Sequence, residues 1–357
     1  MIRRKAMSRI HESWVLWAGG AVLSLLVPIS SAQVPDNERI LRAPPAGDGP
    51  YHEQVLHTFA GDDGQYPTGR LVTDKFGNLY GTTYTDVFEL TAEGVLEVLH
   101  TFVQDLGAPN GLMIDDSGIL YGTTTAGGAC HHGVVFRLAP DGSYTILHYF
   151  ADGNDGASPT SELIMDPAGN LYGTTNRGGA YNAGTVFEVE ANGAETVLYT
   201  FTGGDDGLNP VAGLVMDEYG NLYGATQGGA QDAGNVFKLT PRGQETVLHD
   251  FDGADGRLPW GTLIRDDDGN LYGTTLEGGA GNRGTVFLLT PAGQETVLHS
   301  FAGGSDGAGR QRHRDRRCRP QSQSDIPRHR SHSSYLKSQS GFELRIFSTG
   351  LSRDVSS

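Results

Sequence analysis

Short hydrophobic runs follow one another along most of the chain, separated by glycine, aspartate, asparagine and proline. Within each run, β-branched and aromatic residues alternate with polar ones, which is typical of half-buried β-strands. In one stretch the pattern predicts strands at 162–166, 170–175, 185–189 and 195–201. The connection 166–169 places proline second and glycine fourth, which favours a tight hairpin turn. The chain is therefore predicted to be all-β, without long surface helices.

These strands form a unit that repeats about every 50 residues, and its four strands are called a to d in chain order. The marker of the unit is the pentad Asn-Leu-Tyr-Gly-Thr, whose tyrosine recurs at intervals of 51, 51 and 49 residues in the last four copies. Four antiparallel strands in a unit of this length match one blade of a β-propeller, whereas a β-helix would need a much shorter period. We expect a propeller repeat domain at 51–307 with five encoded blades. The tyrosines are Tyr80, Tyr121, Tyr172, Tyr223 and Tyr272.

The repeat is irregular at both of its ends. Residues 55–59 copy strand d before any strand a has appeared, and after Gly307 the hydrophobic pattern gives way to a segment with 11 basic and 4 acidic residues. We expect this tail, 308–357, to be either disordered or the product of a frame shift, with the true frame continuing into further blades. The ring would then be incomplete at the C-terminus, and the early strand d would close its last blade.

The N-terminus predicts export. Arg3, Arg4 and Lys5 precede a short apolar core at 14–27, and Ser30-Ser31-Ala32 offers the small residues of a cleavage site. The apolar core is too short to span a bilayer comfortably. We therefore expect a signal peptide at 1–32, a proline-containing linker at 33–50, and a mature protein that is secreted, periplasmic or at the cell surface.

Charge limits the range of partners. Residues 1–307 hold 38 acidic and 15 basic side chains, and a surface so acidic repels phosphate backbones. No nucleic-acid partner is expected, and the two cysteines, Cys130 and Cys318, provide no disulfide framework. We expect a monomer without a membrane-spanning segment after signal removal, with a polysaccharide or a cell-surface protein as its partner.

The units at 169–193 and 269–293 share Gly-Asn-Leu-Tyr-Gly-Thr-Thr, then Gly-Gly-Ala, then Gly-Thr-Val-Phe. This pattern resembles the GloVer tandem repeat, which is found in exported bacterial choice-of-anchor proteins, and the resemblance covers roughly residues 51–307. It implies an extracellular or cell-envelope protein of undefined biochemical role, with no catalytic residues to transfer. It also implies a C-terminal anchoring or sorting segment, of which this chain shows no recognisable form.

The loop from strand d to the next strand a repeats the motif Asp-Gly-x-x-Pro. Its clustered oxygens could bind Ca²⁺, a cation that takes six to eight oxygen ligands. Alternatively, the aspartate caps its own turn and the glycine supplies a positive φ. Recurrence in nearly every unit favours the structural interpretation. The aspartates are Asp63, Asp155, Asp206 and Asp255.

A histidine also recurs in strand d, with Tyr199 as the exception, and its recurrence again favours a packing or hydrogen-bonding role. Residues that break the symmetry of the repeat are better candidates for a site. The triplet Cys130-His131-His132 has the chemistry of a zinc or copper site, but adjacent residues rarely all reach one ion. No catalytic residue stands out. The candidate ligand-binding residues are Arg177, Tyr181, Trp260 and Glu277.

In a propeller the d–a loops and the b–c loops share one side of the disc, here called the long-loop face. The sequence predicts a non-catalytic binding or cell-surface interaction module that uses this face. The alternative is a propeller carbohydrate-active enzyme, a glycoside hydrolase or lyase, whose acidic catalytic residues come from different blades of the same face. A third possibility is a truncated chain that folds poorly and has no activity.

Overall fold

The computed structural model describes residues 23–25, 51–60, 63–102, 108–303 and 342–349. Within these ranges the chain consists of β-strands, turns and a single turn of 3₁₀ helix at Gly153–Asp155, so no α-helix in them is available to span a membrane. Most of the strands form five antiparallel sheets, called sheets 1 to 5 in chain order. Two strands precede them, β1 (Leu23–Leu25) and β2 (Tyr51–Phe59).

Sheets 1 and 2 have four strands each, and every strand pairs with the one before it. The strands of sheet 1 are β3 (Thr68–Thr73), β4 (Leu79–Thr82), β5 (Asp86–Leu90) and β6 (Leu96–Thr101). The strands of sheet 2 are β7 (Pro109–Ile114), β8 (Leu120–Thr124), β9 (Val134–Leu138) and β10 (Tyr144–Tyr149).

Sheets 3 to 5 follow the same order, but strand a is divided into two short strands that both pair with strand b. Sheet 3 contains β11 (Ala157–Pro159), β12 (Ile164–Met165), β13 (Leu171–Arg177), β14 (Thr185–Val189) and β15 (Glu195–Thr200). Sheet 4 contains β16 (Leu208–Pro210), β17 (Val215–Met216), β18 (Leu222–Gly228), β19 (Asn235–Leu239) and β20 (Glu245–Asp250). Sheet 5 contains β21 (Arg257–Pro259), β22 (Ile264–Arg265), β23 (Leu271–Glu277), β24 (Thr285–Leu289) and β25 (Glu295–Ser300).

A further sheet joins the two ends of the chain. Strand β26 (Phe342–Thr349) pairs antiparallel with β2 and parallel with β1. The early copy of strand d therefore pairs with a strand from the segment that we expected to lack the repeat. The other residues of the expected signal peptide and tail, and the whole of the expected linker, lie outside the described residues.

The prediction for strand a of the third unit was wrong in its bounds. We expected one strand at 162–166, whereas the structure has β11 and β12, separated by four irregular residues. Within β11 the backbone is twisted, because Ser158 adopts a φ of 54° immediately before Pro159. Its N–H turns away from the sheet and donates to the carbonyl of His132 in the b–c loop of sheet 2.

The pentad Asn-Leu-Tyr-Gly-Thr is explained by the a–b turn that precedes it. In the third unit, one carboxylate oxygen of Asp166 accepts hydrogen bonds from the N–H groups of Ala168 and Asn170. The other oxygen accepts from the side chains of Asn170 and Tyr172, at 3.0 and 3.1 Å. The tyrosine therefore fastens the turn to strand b. The leucine of the pentad, Leu171, is buried.

The glycine of the pentad makes room for the main aromatic residue of the core. A Cβ atom on Gly173 would lie 2.7 Å from Cζ of Phe187, which is fully buried on the paired strand c. The same close approach occurs at Gly81, Gly122, Gly224 and Gly273. A side chain at this position would displace the aromatic ring, and this explains why the repeat keeps Tyr-Gly together.

Successive sheets are joined by contacts between phenylalanine rings. The phenylalanine that follows strand d of one sheet packs edge-on against the strand-c phenylalanine of the next, with ring centroids 5.0–5.3 Å apart. Each hydrophobic cluster therefore lies between two sheets, and one such cluster combines Phe201 of sheet 3 with Leu214 and Phe237 of sheet 4. The ring pairs are Phe59 with Phe88, Phe102 with Phe136, Phe150 with Phe187, Phe201 with Phe237, and Phe251 with Phe287.

No further repeat unit follows sheet 5 in the described part of the chain, and the outer strand of sheet 5 is more exposed than its counterparts. Leu298 is 52% exposed, while its counterparts Leu198 and Leu248 are half-buried. Phe301 is only half-buried, whereas Phe201 and Phe251 are fully buried. An apolar edge therefore remains at the last described sheet.

The ring contact between sheets predicts unequal costs for the same substitution. Phe201→Ala should lower the free energy of unfolding by about 3–5 kcal/mol, because it empties a buried site between two sheets. Phe301→Ala should cost markedly less, because its ring is already half exposed to solvent. Urea denaturation of both variants and the wild type measures the difference, and equal costs would contradict the proposed role of the contact.

Candidate functional site

The long-loop face is built by backbone contacts between d–a and b–c loops. In sheet 5 the N–H of Gly279 donates to the carbonyl of Gly253 at 3.0 Å, and the hydroxyl of Thr285 donates to the carbonyl of Asp255 at 2.9 Å. In sheet 1 the N–H of Tyr84 donates to the carbonyl of Gln65. The two kinds of loop therefore lie side by side, as the propeller arrangement predicts.

The repeated aspartates of the d–a loops are bound by strand d. Asp155 lies 3.0 Å from Nε2 of His148, and Asp255 lies 2.8 Å from Nε2 of His249. Where tyrosine replaces histidine, the Tyr199 hydroxyl donates to the carboxylate of Asp206 at 3.0 Å.

Each carboxylate, including that of Asp63 beside His57, also accepts a backbone N–H of its own loop. These hydrogen bonds match the structural role expected of the repeated histidine. They give the four aspartates proposed as calcium ligands a similar role, each in a different loop.

The predicted ligand-binding residues fall into two groups. Arg177 ends β13 and Tyr181 lies in the following b–c loop of sheet 3, and both are exposed. Trp260 follows β21 and is 45% exposed, and Glu277 ends β23 in sheet 5. A carboxylate oxygen of Glu277 lies 3.6 Å from the Arg257 guanidinium. The two groups belong to sheets that are separated in chain order by sheet 4.

The Cys-His-His triplet is not gathered into a metal site. Cys130 is an exposed free thiol, and Nε2 of His132 lies 4.0 Å from a carboxylate oxygen of Asp152. In the described ranges, two groups of three potential ligand side chains have atoms within 4.8 Å of one another, and neither includes the triplet. Those groups are His148 with Asp155 and Glu195, and His249 with Asp255 and Glu295.

Sequence reasoning missed the glutamate in these groups. Glu195, Glu245 and Glu295 begin strand d of sheets 3, 4 and 5, and each approaches the d–a loop that leaves the preceding sheet. Burial, with a smaller contribution from Asp155 and a partial offset by His148, raises the pKa of Glu195 to about 7. Burial, followed by the charges of Asp206 and Asp250, raises the pKa of Glu245 to about 7.

A second missed feature lies on strand a, where sheets 1, 2 and 3 converge. A carboxylate oxygen of Glu162 lies 3.9 Å from the guanidinium of Arg70, and a Cβ atom on Gly111 would lie 2.4 Å from the Glu162 side chain. Burial raises the pKa of Glu162, and Arg70 partly offsets the effect.

The signal for this feature was in the sequence. The residue before the buried strand-a leucine changes from unit to unit, in contrast with the constant pentad. The five residues are Arg70, Gly111, Glu162, Gly213 and Thr262.

Comparison with known families shows to which family the chain belongs. The model of the Gloeobacter/Verrucomicrobia repeat matches residues 40–166 and 108–314, which together cover most of the chain. The chain belongs to the Gloeobacter/Verrucomicrobia repeat family. The resemblance identified from the pentad and its following motifs is thereby confirmed. A comparison with curated proteins gives no match.

Solved structures agree with the fold of this repeat protein. A streptogramin B lyase superposes with a TM-score of 0.52 at 12% identity, over 69% of this chain and 72% of that chain. At this identity the similarity shows the fold alone, which is all-β and propeller-like. A luciferin-regenerating enzyme (TM-score 0.44, 18% identity, 67% of this chain and 81% of that chain) is also similar. So is a gluconolactonase from Xanthomonas campestris (TM-score 0.42, 19% identity, 60% and 69%).

The repeat protein also has a groove formed by the tight turns of sheets 1 and 2. It has a volume of about 540 Å³ and is lined by the a–b turns of both sheets and the c–d turn of sheet 2. Tyr80 lies in it with its hydroxyl hydrogen-bonded to Asp74 and Glu89. The sequence directed attention to the long loops, and this groove lies at the turns instead.

The raised pKa of Glu245 predicts a pH dependence of stability. From its ordinary value of 4.5, the pKa rises to about 7 in the folded protein, so the folded state keeps a proton that the unfolded state releases. Stability from this group should fall as the pH rises from about 4.5 to about 7. Glu245→Gln should therefore lose less melting temperature than the wild type between pH 5 and pH 8. The exposed Glu93→Gln is the control, and identical profiles for all three proteins would contradict the prediction.

Proposed function

We propose that this protein is an exported, non-catalytic binding module that holds polysaccharide on its long-loop face. Export is inferred from the N-terminal leader, and the measurement that checks it is the N-terminal residue of protein recovered outside the cytoplasm, expected to be Gln33. The choice of ligand is inferred from the exposed side chains of this face. The non-catalytic role is inferred from the hydrogen bonds of the repeated polar residues.

The observation on which the proposal depends is the placement of exposed aromatic rings. Among the described residues, seven aromatic side chains are strongly exposed, and five of them lie in or beside the d–a and b–c loops. An amphipathic ring that is exposed in this way presents an apolar surface and a polar edge, which suits stacking on a sugar ring. The five are Tyr66, Tyr84, Tyr149, Tyr181 and Trp260.

Each of these rings occurs in one unit and not at the equivalent positions of the others, as expected of a binding site on a repeat protein. Tyr149 ends strand d, where the other sheets have Thr101, Thr200, Asp250 or Ser300. Tyr84 occupies the shortened b–c loop of sheet 1, and its backbone contact with Gln65 brings it beside Tyr66. A structural role would be expected in every unit, so aromatic residues confined to single units favour ligand contact.

The repeated polar residues, by contrast, have structural partners. The loop aspartates are hydrogen-bonded by strand d, as described above, and the pentad tyrosines donate to the aspartates of the a–b turns. These groups hold loops and turns in place, which supports a binding role in preference to catalysis by the repeat itself.

Affinity electrophoresis of the purified full chain in gels containing soluble polysaccharides tests the proposal. At least one neutral polysaccharide should retard the wild type. Trp260→Ala or Tyr181→Ala should weaken the affinity measured from the retardation about tenfold, because each removes a stacking surface. Tyr219→Ala is the matched control, since Tyr219 is 75% exposed in an a–b turn away from the long loops. Equal loss in all three variants, or no retardation of the wild type, would overturn the proposal.

The enzymatic alternative is favoured by one observation, the glutamate on strand a. Burial raises the pKa of Glu162, as a general acid requires, and the nearby guanidinium of Arg70 offsets only part of this rise. If the protein is a glycoside hydrolase or lyase, the same polysaccharides should release reducing ends, and Glu162→Gln should abolish the release while leaving retardation intact. Glu89→Gln, in the groove at the tight turns, is the control, and product release that survives in Glu162→Gln would remove this residue from the mechanism.

A further inference from the structure

The boundary between two successive sheets brings three side chains together, and this trio is called a joint. Its members are the strand-d histidine or tyrosine of one sheet, the aspartate of the loop that follows, and the first residue of strand d in the next sheet. In two joints the trio is histidine, aspartate and glutamate, with ligand atoms within 4.8 Å of one another. These are His148–Asp155–Glu195 and His249–Asp255–Glu295.

The other joints differ in their chemistry. Between β2 and sheet 1, His57 and Asp63 are paired at 2.6 Å, but the third position is the apolar Leu96. Between sheets 1 and 2 the third position is Tyr144, whose ring stacks on His100 at 4.2 Å.

Between sheets 3 and 4 the trio is Tyr199, Asp206 and Glu245. Within the described residues, histidine, aspartate and glutamate therefore meet at two boundaries, and the residues of each unit decide where this happens.

The glutamates in these joints lack a hydrogen-bond donor. Oε1 of Glu195 and Oε1 of Glu295 are each buried without a partner, and each glutamate faces the like-charged aspartate of its own joint. A buried carboxylate oxygen without a donor is costly, and a proton, a water molecule or a cation can supply the missing partner. The histidine nitrogen in the same joint is a further ligand atom for a metal ion. A proton shared between the two carboxylates would not involve this nitrogen.

We propose that the joints His148–Asp155–Glu195 and His249–Asp255–Glu295 each bind one divalent transition-metal ion of the zinc class. One imidazole nitrogen and two carboxylates form a ligand set that suits Zn²⁺, whereas Ca²⁺ prefers six to eight oxygen ligands. The sites share Asp155 and Asp255 with the calcium loops considered from the sequence, but each adds a histidine and a glutamate from strand d. None of the six ligand side chains is one of the five aromatic residues assigned to polysaccharide, so zinc binding can be tested independently of polysaccharide binding.

The geometry of the joints is already close to that of a coordinated ion. Nε2 of His148 lies 3.0 Å from the Asp155 carboxylate, and Nε2 of His249 lies 2.8 Å from the Asp255 carboxylate. Two ligand atoms at about 2.0–2.1 Å from one tetrahedral ion are separated by about 3.3 Å. A small outward movement would replace the hydrogen bond by the ion. Phe150 and Phe251 lie edge-on to the two imidazoles at 4.8 and 4.9 Å, which fixes the plane of each ring.

Calorimetric titration of the EDTA-treated, tag-free full chain with Zn²⁺ tests the proposal, in a Cys130→Ser background that removes the exposed thiol. We expect two ions per chain, one after His148→Ala, and none after His148→Ala with His249→Ala. His57→Ala is the matched control and should retain two, because its joint lacks the glutamate. No binding at micromolar Zn²⁺, or binding that survives the double substitution, would overturn the proposal.

A gain of binding provides a second test that loss of folding cannot imitate. The joint between sheets 3 and 4 already has Asp206 and Glu245, and Oε1 of Glu245 is also buried without a partner. Tyr199→His should therefore raise the count from two ions to three, and zinc should increase the melting temperature of this variant by more than that of the wild type. A folded Tyr199→His variant that still binds two ions would overturn the proposed ligand set.

Discussion

The edge-to-face contact between phenylalanine rings of neighbouring sheets is the interaction on which the rest of the structure depends. A repeat unit of four or five short strands cannot bury its hydrophobic face alone, so neighbouring sheets must stack to form a core. The ring at the end of strand d extends each sheet into the core of the next, so every hydrophobic cluster is shared. The strand-c phenylalanine that receives this ring, such as Phe187, lies against the pentad glycine, such as Gly173, because any side chain there would displace it.

The same contact determines where polar chemistry accumulates. Two residues before the ring, strand d presents histidine or tyrosine, and the d–a loop that follows bends back so that its aspartate meets that side chain. The next sheet brings the start of its own strand d to the same place. Side chains distant in sequence, such as His148 and Glu195, are thus adjacent in each joint. The repeat therefore creates the same pocket of polar atoms several times, and substitutions in single units give each pocket its own character.

Much of the fold could be predicted from the sequence, because its determinants are local. The pentad, the Asp-x-x-Gly turns and the alternation of β-branched residues define strands b, c and d, and β13 to β15 lie within a residue or two of the predicted ranges. The division of strand a was not predictable, because it depends on a hydrogen bond from Ser158 to a loop of another sheet. The exposed positions of Arg177 and Tyr181 agree with their expected place on long loops.

The joints were not predictable for the same reason. The histidine and the aspartate of one joint are seven residues apart in His148 and Asp155, but the glutamate comes from the following unit. Arg70 and Glu162, whose charged groups lie 3.9 Å apart, belong to sheets 1 and 3, which are not consecutive. A single sequence shows which positions vary between units, yet only the packing of the sheets shows which variable positions meet.

The uniformity of the ring contact has a consequence for how such a protein can change in length. Each described sheet presents the same strand-d phenylalanine on one side, and each accepts such a ring on the other. A duplicated unit inserted between two existing ones would thus find both of its neighbours already shaped to receive it. Whole units could therefore be added or removed without a new kind of interface between neighbouring sheets.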